Sequence, residues 1–132
     1  LMDRNIDDGK TKGYTTTILG RRRPIPELQG GDPSQRGVGE RMAVNSPIQG
    51  SAADLIKVAM IDVHQRLQDE LPTTKMILQV HDELIFETPE ADLERAKQLV
   101  KQVMEATGTK LGLSVPLKVD LGVGLNWRVA HP

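Results

Sequence analysis

Cysteine is absent from the 132 residues, and aromatic residues nearly so: Tyr14, Phe86 and Trp127 are the whole set. Without thiols there is no disulfide scaffold, no thiolate zinc site, no iron–sulfur cluster and no cysteine nucleophile. The absence fits a reducing compartment such as the cytoplasm. With so few aromatics, the core must be aliphatic. No apolar run approaches the roughly 20 residues that a membrane-spanning helix requires. The opening Leu1-Met-Asp-Arg-Asn5 has no apolar stretch after its charges, so it reads as the inside of a polar helix and not as a secretion signal. Net charge is scarce too, and a formal −1 argues against general polyanion binding. That mean conceals a tilt: residues 1–45 carry eight Lys/Arg against six Asp/Glu, residues 46–132 nine against twelve. A basic front and an acidic back suit phosphate contact in one place and cation binding in another.

What is present is punctuated and periodic. Residues 2–12 are polar with weak helical character, and Gly13 closes them. Tyr14-Thr-Thr-Thr-Ile-Leu19 is β-branched and strand-like. Gly20-Arg-Arg-Arg-Pro-Ile-Pro26 is expected to break regular structure, and residues 27–37 read as a loop and as the domain boundary. A short helix follows over Glu40–Asn45. Ser46-Pro47 and Ser51-x-x-Asp54 then read as helix starts, the latter of capping-box type. Ala52, Leu55, Ile56, Ala59, Met60, Val63 and Leu67 recur at helical spacing up to a stop at Pro72. Met76–Val80 and Leu84–Phe86 read as a hairpin around His81-Asp82-Glu83. Thr88-Pro89 opens another helix with Leu93, Ala96, Val100, Val103, Met104 and Thr107 on its apolar face, closed by Gly108. Val115, Leu117, Val119, Leu121 and Val123 alternate with polar residues as a half-buried strand. The order predicts an α+β fold: a small, mostly antiparallel sheet of hairpin plus C-terminal strand, with helices packed on one face.

Three constellations carry chemistry. At the hairpin tip, Asp82 and Glu83 project two carboxylates from a rigid support, and a hard divalent cation relieves their mutual repulsion. The same residues also suit a polar turn, yet the tip lacks the Gly or Asn usual in two-residue turns. Second, Arg41, Asn45 and Gln49 are four apart, a polar helical stripe suited either to base edges and sugars in a minor groove or simply to solvent. Third, Arg21-Arg22-Arg23 is a basic run suited to phosphates. Gly30-Gly31, Gly37 and Gly39 follow no strand and lack P-loop or dinucleotide spacing, which excludes a phosphate-cradling loop. His64 and His131 receive no role.

The stretches Gly13-Tyr14…Leu19-Gly20-Arg21-Arg22-Arg23, Glu40-Arg41…Asn45-Ser-Pro47-Ile-Gln49-Gly50…Asp54, Gln79-Val-His-Asp-Glu-Leu84 and Val115-Pro116…Gly124…Asn126-Trp127 together resemble the C-terminal end of the family A DNA polymerases. The resemblance runs over essentially the whole chain. It implies that residues 1–37 are the end of the fingers with a connecting loop, and 38–132 the C-terminal part of a palm-like, incomplete fold. It implies that Asp82 and Glu83 are catalytic, with Asp82 a ligand of Mg²⁺, one of two ions in a complete site. His81 is expected near the primer 3′ end, and Arg41, Asn45, Gln49, Tyr14 and Arg21 at nucleic acid. The implied partners are primer–template DNA, deoxynucleoside triphosphates and the remainder of a polymerase chain, with no membrane. The family's other catalytic aspartate, nucleotide-binding helix, thumb and exonuclease domains have no counterpart in these residues. One carboxylate-bearing turn cannot clamp two cations, so the chain alone is expected not to polymerise. Two other readings fit parts of the sequence: a metal-dependent phosphohydrolase on His81-Asp82, which needs more His and Asp ligands than three histidines offer, and a non-enzymatic nucleic-acid interaction module.

Overall fold

The computed structural model describes the backbone of residues 2–131 and the side chains of residues 5–131. Helix α1 (Met2–Lys12) is followed by strands β1 (Tyr14–Thr16) and β2 (Arg22–Pro24), a 3-10 turn (Pro26–Leu28) and helix α2 (Pro33–Glu70). Strands β3 (Lys75–Val80) and β4 (Glu83–Glu87), helix α3 (Leu93–Lys110) and the short helix α4 (Trp127–Ala130) complete the order. The fold is α+β, with two separate two-stranded antiparallel sheets among the described residues, β1–β2 and β3–β4. The chain divides into two compact units, Leu1–Asp54 and Leu55–Pro132.

In the first unit, Ile25, Leu28 and Ala43 are buried together, with Ile6 and Met42 packed against them. Helix α2 comes close to the 3-10 turn because the residues facing it are small. A Cβ on Gly39 would lie 3.0 Å from the Leu28 backbone nitrogen. The strand expected over residues 14–19 stops at Thr16, and the segment expected to break regular structure contains β2 instead. The ladder pairs Tyr14 with Pro24 and Thr16 with Arg22, so Pro24 sits at the end of a three-residue edge, where its missing N–H costs little. Residues 27–37 are not one loop. They hold part of the 3-10 turn and the start of α2. Asp32 accepts a hydrogen bond from the Ser34 amide at 3.0 Å, with Pro33 at the first helical position, a favourable start for a helix.

Helix α2 also overturns the expected helix starts at Ser46-Pro47 and Ser51. It runs through all 38 residues with Pro47 in its interior. Pro47 has no N–H for the Ala43 carbonyl, a defect worth about 3 kcal/mol. Packing on both sides of the defect outweighs it, through Ala43 before and Ala59, Val63 and Leu67 after.

The second unit has an aliphatic core of Val63, Leu67 and Leu71 from α2 and its end against Ala96, Leu99, Val100 and Val103 of α3, with Phe86 and Met104 packed on it. Thr107, expected on the apolar face, is buried there and donates its hydroxyl to the Val103 carbonyl at 3.1 Å. Gly108 does not close α3, which continues to Lys110. Ala52, expected on the apolar face of α2, is exposed.

The C-terminal strand expected over residues 115–123 does not form. A strand is completed by a neighbour that accepts and donates its ladder bonds, and among the described residues no strand pairs with this segment. It is fastened to α3 instead. The Leu113 amide donates to the Gly108 carbonyl at 3.0 Å, and the Val119 amide to the Glu105 carboxylate at 3.0 Å. Leu117 lies over Gly108, where a Cβ would come within 3.0 Å of the leucine Cβ. The expected alternation in burial holds only at Leu117 and Val119, half-buried between exposed Lys118 and Asp120, while Val115, Leu121 and Val123 are exposed.

Candidate functional site

The β3–β4 hairpin is closed at its base by the Thr74 and Thr88 hydroxyls, 2.7 Å apart. Its register pairs Val80 with Glu83, which leaves His81 and Asp82 as a two-residue turn and makes Glu83 the first residue of β4. His81 has φ +52°. That left-handed conformation costs a non-glycine residue about 1–2 kcal/mol, although histidine enters it more readily than most. The Gln79 side-chain amide steadies the turn by donating to the His81 carbonyl at 2.7 Å.

Side chains at this turn have unequal surroundings. Asp82 is exposed and has no hydrogen bond or ion pair among the described residues. Glu83 is 35% exposed, and its Oε1 lies 2.9 Å from Nε2 of His131. The sequence supplied no motif for that histidine, 48 residues further on. It follows α4, a single helical turn whose first amides are capped by the Asn126 side chain, which accepts from the Val129 amide at 3.0 Å. Among the described residues, no three His, Asp or Glu side chains are grouped to hold a metal ion. The turn therefore offers one open carboxylate. That fits a magnesium ion as a single ligand, since such ions take one or two carboxylates and complete their shell with water and phosphate oxygens. It does not fit a closed protein cage.

In the first unit, Arg41, Asn45 and Gln49 lie on the uninterrupted α2 and all three are exposed. The polar stripe that the spacing predicted is thus present, and Pro47 does not divide it. Ile48, beside it, is 59% exposed.

The three arginines prove to be three different cases. Arg21 is half-exposed, yet its Nε donates to Asp54 at 2.6 Å and its Nη2 to the Gly50 carbonyl at 3.2 Å. Arg22 lies over the Tyr14 ring, 4.6 Å from its centroid, as a cation–π pair. Arg23 is exposed.

Asp54 is the residue whose role the sequence concealed. In place of a helix cap, it is the anchor of the β1–β2 turn. Its buried carboxylate accepts from the Thr17 hydroxyl, from the Leu19 amide at 3.2 Å and from Arg21. Ser51, one turn earlier on α2, accepts from the Ile18 amide at 2.9 Å. Gly50 lets the turn sit this close, because a Cβ there would come within 2.5 Å of Thr17 Cγ2. Burial alone would push the Asp54 carboxyl up. The Thr17 hydroxyl, the Leu19 amide and the Arg21 guanidinium together outweigh it and hold the group below the ordinary 3.8.

A family model, DNA polymerase family A, matches residues 1–129. DNA polymerase I of Bacillus caldotenax is 49% identical over 126 residues, which is 96% of this chain and 14% of that protein. The thermostable DNA polymerase I of Thermus filiformis is 47% identical over 129 residues, 98% of this chain and 15% of that one. Among solved structures, the POL domain of Pol1 from M. smegmatis, in complex with DNA primer-template and dNTP, superposes with a TM-score of 0.89 at 45% identity, over 98% of this chain and 22% of that one. The chain thus spans about 14–15% of the length of these curated relatives.

Proposed function

Because the chain belongs to DNA polymerase family A, we propose that it is the part of a DNA-directed DNA polymerase that presents a metal-binding carboxylate and grips primer–template DNA. The observation that carries this reading is Asp82: an exposed carboxylate without a partner among the described residues, on a two-residue turn held in an uncommon conformation. Residues kept in costly backbone states concentrate at functional sites.

Asp82 is the residue that would hold a magnesium ion. Such an ion, when bound, supplies Lewis-acid activation of the primer 3′-hydroxyl and charge neutralisation on the triphosphate. His81 brings an exposed imidazole to the same turn and is assigned to the primer terminus. Glu83 stands beside Asp82 as the second acid. On α2, Arg41 offers donors only, while the Asn45 and Gln49 amides both donate and accept. That combination suits the acceptor-rich minor groove of a duplex, where sequence is barely distinguished. Tyr14, stacked with Arg22, offers an aromatic face to a base or sugar. Arg21 holds the turn to α2, so phosphate contact falls to the donors that Asp54 and Gly50 leave unused. In domain terms, residues 1–37 are assigned to the end of the fingers and 38–132 to the palm.

The test has two arms. In a polymerase carrying these residues, Asp82→Asn removes nearly all turnover while primer–template affinity stays within about threefold; surviving turnover defeats the assignment. The isolated 132 residues are expected to give no Mg²⁺-dependent primer extension, and robust synthesis by them overturns that expectation.

A further inference from the structure

The pairing of His131 with Glu83 has no part in the assignments above. The segment after α3 travels along that helix, fixed at Leu113, Leu117 and Val119, and ends in α4. That last turn is a built element. Asn126 caps it, the His131 amide donates to the Trp127 carbonyl at 3.0 Å, and a Cβ on Gly124 would come within 2.8 Å of the Ala130 amide nitrogen. Its outcome is an imidazole nitrogen delivered 2.9 Å from a carboxylate oxygen at the mouth of the hairpin.

We propose that His131 is a positioning residue: it holds the Glu83 carboxylate, so that Asp82 stands as the single open acid of the turn. The physical reason lies in the sequence order. Asp82 and Glu83 are adjacent, and two unpaired carboxylates at one turn repel and compete for the same cation. An imidazole nitrogen 2.9 Å from one of them restricts its rotamer and separates their roles. Released from His131, Glu83 regains rotamer freedom and its negative charge is no longer held by a partner. Asp82 then shares the turn with a mobile second acid. The proposal rests on the polymerase reading of Asp82, and its tests separate the two.

The first readout needs no metal and no catalysis. In the metal-free polymerase carrying these residues, Glu83→Gln is expected to speed amide hydrogen exchange in residues 127–131 about two- to fivefold, the range for a half-exposed polar pair. His131→Ala is expected to do the same at residues 79–84. Unchanged exchange in both variants overturns the pairing.

The second readout is kinetic. His131→Ala is expected to lower kcat about three- to tenfold, with KM for the nucleotide within twofold of the parent. His131→Gln, whose amide nitrogen reaches to a similar distance as a donor, restores most of that loss. In a double-mutant cycle, His131→Ala adds no further loss on top of Glu83→Gln, because the histidine acts through that carboxylate. A kcat within twofold of the parent in His131→Ala overturns the proposal. So does a glutamine variant as deficient as alanine, or fully additive losses in the cycle. Turnover that survives Asp82→Asn overturns the polymerase reading instead.

Discussion

Two tight turns in this molecule each have an aspartate beside or within them, and the two acids serve opposite ends. The β1–β2 turn is sewn to α2 by Asp54, a fully buried carboxylate that accepts from a hydroxyl, an amide and a guanidinium. The β3–β4 turn carries Asp82 on its outside, exposed and without such donors. One acid is consumed in holding backbone and the other is left available. The contrast teaches that an aspartate's role is read from the donors around it. Nothing in the residue type, nor in a neighbouring Ser or His, tells the two apart.

The sharpest way to break the contrast is to exchange amide for acid at both positions. Asp82→Asn in a polymerase carrying the chain is expected to cost about a thousandfold in turnover, roughly 4 kcal/mol of barrier, with stability within about 0.5 kcal/mol, as for an exposed site. Steady-state kinetics beside a thermal melt checks both. Asp54→Ala should show the reverse pattern locally. Removing a buried partner of several donors costs about 2–3 kcal/mol, read as amide exchange at Leu19 faster by about 30–150-fold. If Leu19 exchange is unchanged, the anchor is not Asp54.

Smaller effects sharpen the comparison. Gln49→Ala and Arg41→Ala, on the exposed stripe, should each weaken primer–template binding by about 1 kcal/mol without altering exchange at Leu19. Normal affinity together with normal turnover removes the stripe from the interface. The least effect is the pH dependence. Because the Asp54 carboxyl is held below its ordinary value of 3.8, its contribution is complete above that value. It is lost as the pH falls from there through the folded-state value. Between pH 5 and pH 2.5, the urea midpoint of the parent should therefore fall more steeply than that of Asp54→Asn. Parallel curves would show that the carboxylate is not the group responsible.

Legibility follows the range over which each signal acts. The hairpin, α3 and the Arg41-Asn45-Gln49 stripe were readable because their periodicity lies within one element. The continuity of α2 was not. A proline rule is local, whereas Ala43 and Val63, buried on either side of Pro47, act through tertiary packing. Strand β2 was hidden by its arginines and Pro24, since a short edge strand tolerates both. The alternation in residues 115–123 was genuine but lacked a partner to turn it into a ladder. Asp54 and His131 were illegible for a simpler reason. Their partners lie far away in sequence, Asp54's at Thr17, Leu19 and Arg21 and His131's at Glu83, with no motif joining them.

The left-handed backbone at His81 has a consequence for what evolution or a mutagenesis library can place there. The position is filtered twice, once by geometry and once by chemistry. Glycine and asparagine pass the first filter without difficulty, while valine, isoleucine and threonine fail it because a branched Cβ crowds the carbonyl. The second filter is the one proposed above, an imidazole at the primer terminus. Geometry alone would leave a short roster of small or polar side chains at this codon, with the branched ones lost.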